Sequence, residues 1–116
     1  MYSRDILLFV DDILESISAI TKFTHGMECS AFTGDRKTYS ATLREFIVIG
    51  EAIVHIPEEL KQQFPDISWR QIKDFRNFIV HEYFGIDPEI VWDAVTKELP
   101  RLSTHMLQLK NTLQTS

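Results

Sequence analysis

The sequence predicts an all-α fold, an antiparallel bundle of four main helices plus short helical turns, and three observations carry that expectation. Apolar residues recur at i, i+3, i+4 and i+7 through several long stretches, the spacing of a single helix face. Only four glycines and four prolines punctuate 116 residues, too few for a turn-rich β protein. No pair of runs carries a β-hairpin signal, and there are no internal repeats or low-complexity segments.

The first helix is expected from about Ser3, a residue type that caps helices, to about Phe23. Ile6, Leu7, Val10, Ile13, Leu14, Ile17 and Ile20 form its apolar face, with Asp11, Asp12 and Glu15 largely opposite. It should stop near His25-Gly26, where glycine can take the left-handed conformation that closes a helix. Met27 to Asp35 is the least regular stretch, with room for one helical turn at Ser30 to Phe32. The apolar pattern resumes through Ala41, Leu43, Phe46, Ile47, Ile49, Ala52, Ile53 and Ile56, giving a second helix from about Asp35 to Ile56. Gly50 inside it costs about 1 kcal/mol relative to alanine, which points to a close helix crossing. A short helix over Glu58 to Gln63 ends at the Phe64-Pro65-Asp66 turn. The next helix, capped by Ser68, runs from about Trp69 to Tyr83 and ends at Gly85. Asp87 then precedes Pro88, which suits a first helical position, and the last helix reaches about Leu113 with a kink at Pro100.

Length and composition bound what such a bundle can be. A chain of 116 residues is expected to form one domain, residues 1–116, burying roughly two thirds of its unfolded surface. Hydrophobic residues at 44% and charged residues at 25% are those of a soluble globular protein. The apolar run Ile6 to Val10 is too short for a signal core and is followed at once by two aspartates. No stretch approaches the roughly 18 to 20 apolar residues of a membrane span. Cys29 stands alone, so no intramolecular disulfide and no multi-cysteine metal site can form, and a cytoplasmic location fits best. The net charge of −5 opposes nucleic-acid binding at long range. It is unevenly spread: Lys61 to Tyr83 holds four cations against three acids, leaving eight against fourteen elsewhere.

That less acidic region contains the residues able to do chemistry, RNFIVHEY from Arg76 to Tyr83. At roughly 100° per residue, Asn77 and His81 share one face, Arg76 and Tyr83 share a neighbouring stripe, and Phe75, Phe78 and Ile79 turn toward the core. Histidine can move a proton near neutral pH, activating a ribose 2′-OH or protonating a leaving oxygen. Arginine offers a planar fork of donors to phosphate oxygens as charge builds in the transition state. Such a reaction needs an acid and a base, and one chain offers one histidine here, so two copies of the segment would complete the pair.

Arg76, Asn77, His81 and Tyr83, in the pattern Arg-Asn-x-x-x-His-x-Tyr, resemble the signature of the HEPN superfamily, specifically HepT-like toxins encoded beside MNT-type minimal nucleotidyltransferase antitoxins. Ile49 to Ala52 (IGEA), Ile67 to Asn77 (ISWRQIKDFRN), His81 to Asp87 (HEYFGID) and the later EIVW and KELPRL segments match as well. The resemblance spans the chain in order and matches least in the Met27 to Gly34 loop and after Lys110. It implies a homodimeric, metal-independent endoribonuclease without a cofactor. Arg76 and His81 would be catalytic at a cleft between protomers, with Asn77 and Tyr83 supporting them. It further implies a cognate nucleotidyltransferase partner that transfers AMP from ATP onto Tyr83 and so blocks the site.

Plainer readings stand beside these. An arginine and a histidine on a helix are most often surface or hydrogen-bonded structural residues, and Tyr83 can be a packing residue. His25, His55 and His105 are ordinary surface or satisfied histidines. HEYFG lacks the second histidine of a zinc helix. Glu51 beside Gly50 either pairs with a site cation or merely solvates a helix face, and a structural or interface role is the simpler reading. Trp69 and Trp92 are core or interface anchors. The alternative function is a non-catalytic HEPN domain that binds nucleotide, or a partner nucleotidyltransferase, and serves as its substrate.

Overall fold

The computed structural model of the protein describes residues 4–115, and the expected cap at Ser3 lies outside the described residues. Helix α1 (Arg4–Thr24) is followed by α2 (Cys29–Gly34), α3 (Arg36–Ile53), α4 (Glu58–Gln62) and α5 (Trp69–His81). A 3₁₀ turn at Tyr83–Gly85 leads to α6 (Pro88–Asp93) and α7 (Leu99–Thr115), which are joined without a break by a π turn at Ala94–Glu98. The fold is all-α, as the sequence predicts.

Each boundary has a local cause. Gly26 takes a φ of 76° just beyond α1, the left-handed closure expected there. Asp35, expected as the first residue of the second helix, instead caps α3, accepting from the Thr38 backbone N–H at 3.2 Å and the Thr38 hydroxyl at 2.8 Å. Helix α3 stops at Ile53 rather than Ile56. His55 and Ile56 donate to the carbonyls of Ala52 and Ile53 across three-residue turns, as suits a chain that must leave helical geometry before Pro57. Ser68 makes no side-chain cap; the start of α5 is held instead by the Trp69 indole, which donates to the carbonyls of Lys61 and Phe64 at 3.2 and 3.1 Å. Asp87 caps α6 through the Glu89 N–H, with Pro88 next in line.

The expected kink at Pro100 appears as the π turn just before it. Proline has no N–H, and its ring crowds the carbonyl four residues earlier. Widening the preceding turn, with the Leu99 N–H bonded to the Ala94 carbonyl, accommodates this in a helix that continues.

Val10, Ile13, Ile20, Leu43, Ile49, Ile53, Ile79, Met106 and Leu109 are buried at the centre. Helix α3 packs between α1 and α5, and α7 packs on the other side of α1. Phe9 near the start of α1 stacks on His55 just past the end of α3, with ring centroids 4.3 Å apart. Lys110 near the end of α7 reaches Asp11 at 2.8 Å. Both contacts run antiparallel. Between α5 and the α6–α7 helix the bundle stays open, leaving a groove of about 420 Å³ floored by Phe46, Ile49, Ile72, Phe75 and Leu102. Among the described residues no helix is long and apolar enough to cross a membrane.

Candidate functional site

Helix α5 and the turn after it carry all four motif residues. Arg76 leaves α5 where that helix crosses α3 at Gly50. A Cβ built on Gly50 would fall on Cβ and Cγ of Arg76, well inside van der Waals contact. The absent side chain thus lets the arginine stem lie directly on the α3 backbone, which is the close crossing that Gly50 predicts. The guanidinium is held at both ends: Nη1 donates to Asn77 Oδ1 at 2.9 Å and Nη2 to Glu51 Oε1 at 3.3 Å. Nε is buried without a hydrogen-bond partner, while the Arg76 side chain as a whole is 32% exposed. The terminal nitrogens therefore face solvent and the stem does not.

His81 closes α5 and is exposed, at the helix end that favours a positive charge. The helix expected to continue to Tyr83 ends here. The last α-helical bond runs from the Glu82 N–H to the Phe78 carbonyl, and the next, from Gly85 to Glu82, closes a tighter turn. Gly85 resists helix, and Asp87 must begin a new one, so the chain tightens between them. Tyr83 consequently leaves the stripe it was expected to share with Arg76. It is 41% exposed and meets Phe84 edge-on, ring centroids 5.4 Å apart.

The structure brings Arg76 together with Asn77 and Glu51, but not with His81. Five residues on a helix place two side chains roughly 140° apart, and the arginine turns toward α3 rather than outward. Of the three apolar residues expected in the core, Ile79 is fully buried and Phe75 packs edge-on against Phe46 at 5.1 Å. Phe78 is 37% exposed, a correction to the sequence reading: it lies roughly 100° around from Ile79, past the strip that α3 covers. The large groove beside α5 contains none of the four motif residues; its walls carry Asp66, Asp93, Lys97, Glu98, Arg101 and His105.

Of two neighbours, the sequence reading weighed Glu51 as a partner for a site cation but preferred a structural or interface role, and it did not single out Tyr39. Glu51 has no special spacing, and its ion pair with Arg76 bridges 25 positions; only the crossing at Gly50 makes it adjacent. Tyr39 on α3 is also close. Burial raises the pKa of its hydroxyl above the ordinary value, and the charges that Tyr83 and Asp87 would carry push in the same direction. No pattern within α3 points to Tyr39.

The chain is similar to known proteins over most of its length. The family described as "Ribonuclease HepT-like" matches residues 13–109. The chain is 38% identical over 100 residues to "Putative RNase MJ0127" of Methanocaldococcus jannaschii, covering 86% of this chain and 83% of that one. It is 34% identical over 102 residues to "Probable ribonuclease HepT" of Thermococcus cleftensis, covering 88% and 93%. A further M. jannaschii protein, "Putative RNase MJ1380", is 32% identical over 102 residues, covering 88% and 94%. No solved structure gives a significant match.

Proposed function

The chain belongs to the ribonuclease HepT-like family, and on that footing we propose that it cleaves RNA with Arg76 and His81 as its catalytic residues. The observation that carries this reading is the anchored guanidinium: its stem is packed on Gly50 and its exposed end is set by Asn77 and Glu51. The ribose 2′-OH gives up its proton to one histidine and its oxygen attacks the adjacent phosphorus. The bond from phosphorus to the 5′ oxygen breaks, and that oxygen takes a proton from a second acid, leaving a cyclic phosphate and a 5′-OH. Arg76 meets the charge on the non-bridging oxygens.

One chain supplies one His81, so the reaction calls for a homodimer in which the two motifs face each other. A fully exposed aromatic ring beside the motif supports this: Phe84 is 99% exposed, and aromatic side chains of this kind are enriched at interfaces. The protein acts as the toxin of a pair whose nucleotidyltransferase antitoxin modifies Tyr83. The exposed phenol oxygen attacks the α-phosphorus of ATP, pyrophosphate leaves, and the phenol proton passes to solvent. AMP on Tyr83 then obstructs the cleft beside His81.

RNA cleavage and growth arrest should be lost by roughly 100-fold or more in Arg76→Ala and His81→Ala. Intact RNA with the wild type as well would sink the nuclease reading. Light scattering should show a dimer that Phe84→Ser weakens. Incubation with the neighbouring nucleotidyltransferase and ATP should add one AMP to the wild type and none to Tyr83→Phe. The net charge of −5 favours a second reading, a non-catalytic domain that is substrate and partner of that enzyme; a wild type that accepts AMP yet leaves RNA intact would select it.

A further inference from the structure

We propose that Glu51 is a positioning residue for Arg76, fixing the plane of the guanidinium so that its free N–H groups meet the phosphate. The proposal rests on the nuclease reading for its consequence, but on geometry for its substance. Packing against the Gly50 backbone fixes the Cβ and Cγ atoms of Arg76. Beyond them the buried Nε–H has no acceptor, so nothing at that atom sets the rotation of the group. The two terminal nitrogens must therefore be oriented from outside the stem, and one acceptor sits at each: Asn77 Oδ1 at 2.9 Å and Glu51 Oε1 at 3.3 Å.

Asn77 belongs to the same helix as Arg76 and moves with it; Glu51 belongs to α3. The pair of acceptors thus ties the guanidinium to both helices at their crossing. Each terminal nitrogen carries two hydrogens, and each gives one to its acceptor. One N–H on each remains for phosphate oxygens, the two-point contact that arginine makes best. A guanidinium that must stop rotating when substrate arrives would lose that advantage.

The ion pair is too open to matter much for folding. The side chains of Arg76 and Glu51 are 32% and 58% exposed, and exposed pairs contribute little to stability. A structural role and a positioning role therefore predict different results. Glu51→Ala should lower kcat by roughly 10- to 100-fold, the scale of a misplaced catalytic group, with KM changed by no more than about twofold and thermal stability nearly intact. Glu51→Gln keeps an acceptor oxygen at the same place and should recover most of the loss. In ¹⁵N spectra of the arginine side chains, the two Nη signals of Arg76 should be distinct in the wild type and in Glu51→Gln, and should exchange faster in Glu51→Ala, where Asn77 alone restrains the group.

Wild-type cleavage by Glu51→Ala, a loss matched by an equal loss of stability, or faster cleavage by both variants would each overturn the proposal. So would Nη signals that Glu51→Ala leaves unchanged. Should the wild type cleave no RNA, the nuclease reading fails, and the ¹⁵N spectra alone decide whether Glu51 orients Arg76.

Discussion

At Gly50 the absence of a methyl group decides where Arg76 can stand. Gly50→Ala would drive a Cβ into Cβ and Cγ of Arg76, atoms fixed by the α5 backbone, so the helices must separate. Overpacking of this kind costs about 1–3 kcal/mol, offset by up to about 1 kcal/mol of helix propensity. The expected outcome is a net loss of up to roughly 2 kcal/mol in denaturant melts, together with weaker RNA cleavage; a variant more stable than the wild type and as active would contradict the crossing. Asp35 offers a pH test. Its bonds from the Thr38 backbone N–H and hydroxyl, in that order, outweigh partial burial and hold its pKa below the usual value. The unfolded chain therefore binds more protons at this group, so its contribution is present above the unfolded pKa and lost as pH falls through the folded one. Asp35→Asn can still cap but cannot titrate. It should be less stable than the wild type near neutrality, with the gap narrowing below about pH 5; a constant gap would show that the cap carboxylate is not the titrating group.

Helix α5 shows how an element can be legible while its ends are not. Its existence follows from Ile72, Phe75 and Ile79 at helical spacing, but Ser68 before it does not cap, and Tyr83 after it falls in a 3₁₀ turn. Side-chain type identifies Ser68 as a potential cap; whether its hydroxyl is needed depends on what else reaches that turn, and here the Trp69 indole does. Trp69→Phe keeps the ring and removes the N–H shared by the Lys61 and Phe64 carbonyls. We expect a loss of about 1–2 kcal/mol and faster amide exchange concentrated at the start of α5. Uniformly faster exchange throughout the bundle would mean that Trp69 acts through general packing. The last helix teaches the same lesson: Pro100 signals a disturbance, and the neighbouring ladder resolves it as a π turn in place of a break.

For the whole molecule the governing quantity is charge. At −5 the protein does not attract RNA from a distance, so binding must rely on short-range contacts. If the two Arg76 side chains of a dimer provide the phosphate contacts, the log–log salt slope on single-stranded RNA is about −1.4, and kcat/KM should fall by about sevenfold between roughly 50 and 200 mM salt. A fall of about 1,000-fold would require many more cationic contacts and would place the RNA elsewhere on the surface. Phe84, 99% exposed, belongs to this scale too: in the proposed dimer a second chain that covers it would take its ring out of water.

The sequence by itself determined the all-α class, the order of the helices and the family, and it offered Arg76, Asn77, His81 and Tyr83 as candidates. These rest on spacing and residue type, which are local and periodic and so can be read along a chain. The tertiary structure decided which side chains meet: that Arg76 turns to Glu51, 25 positions away, that Tyr39 lies near Tyr83, and that Phe78 is left outside the core. Those outcomes depend on where α3 and α5 cross, and a crossing is fixed by the fit of two surfaces, at Gly50 by a side chain that is not there.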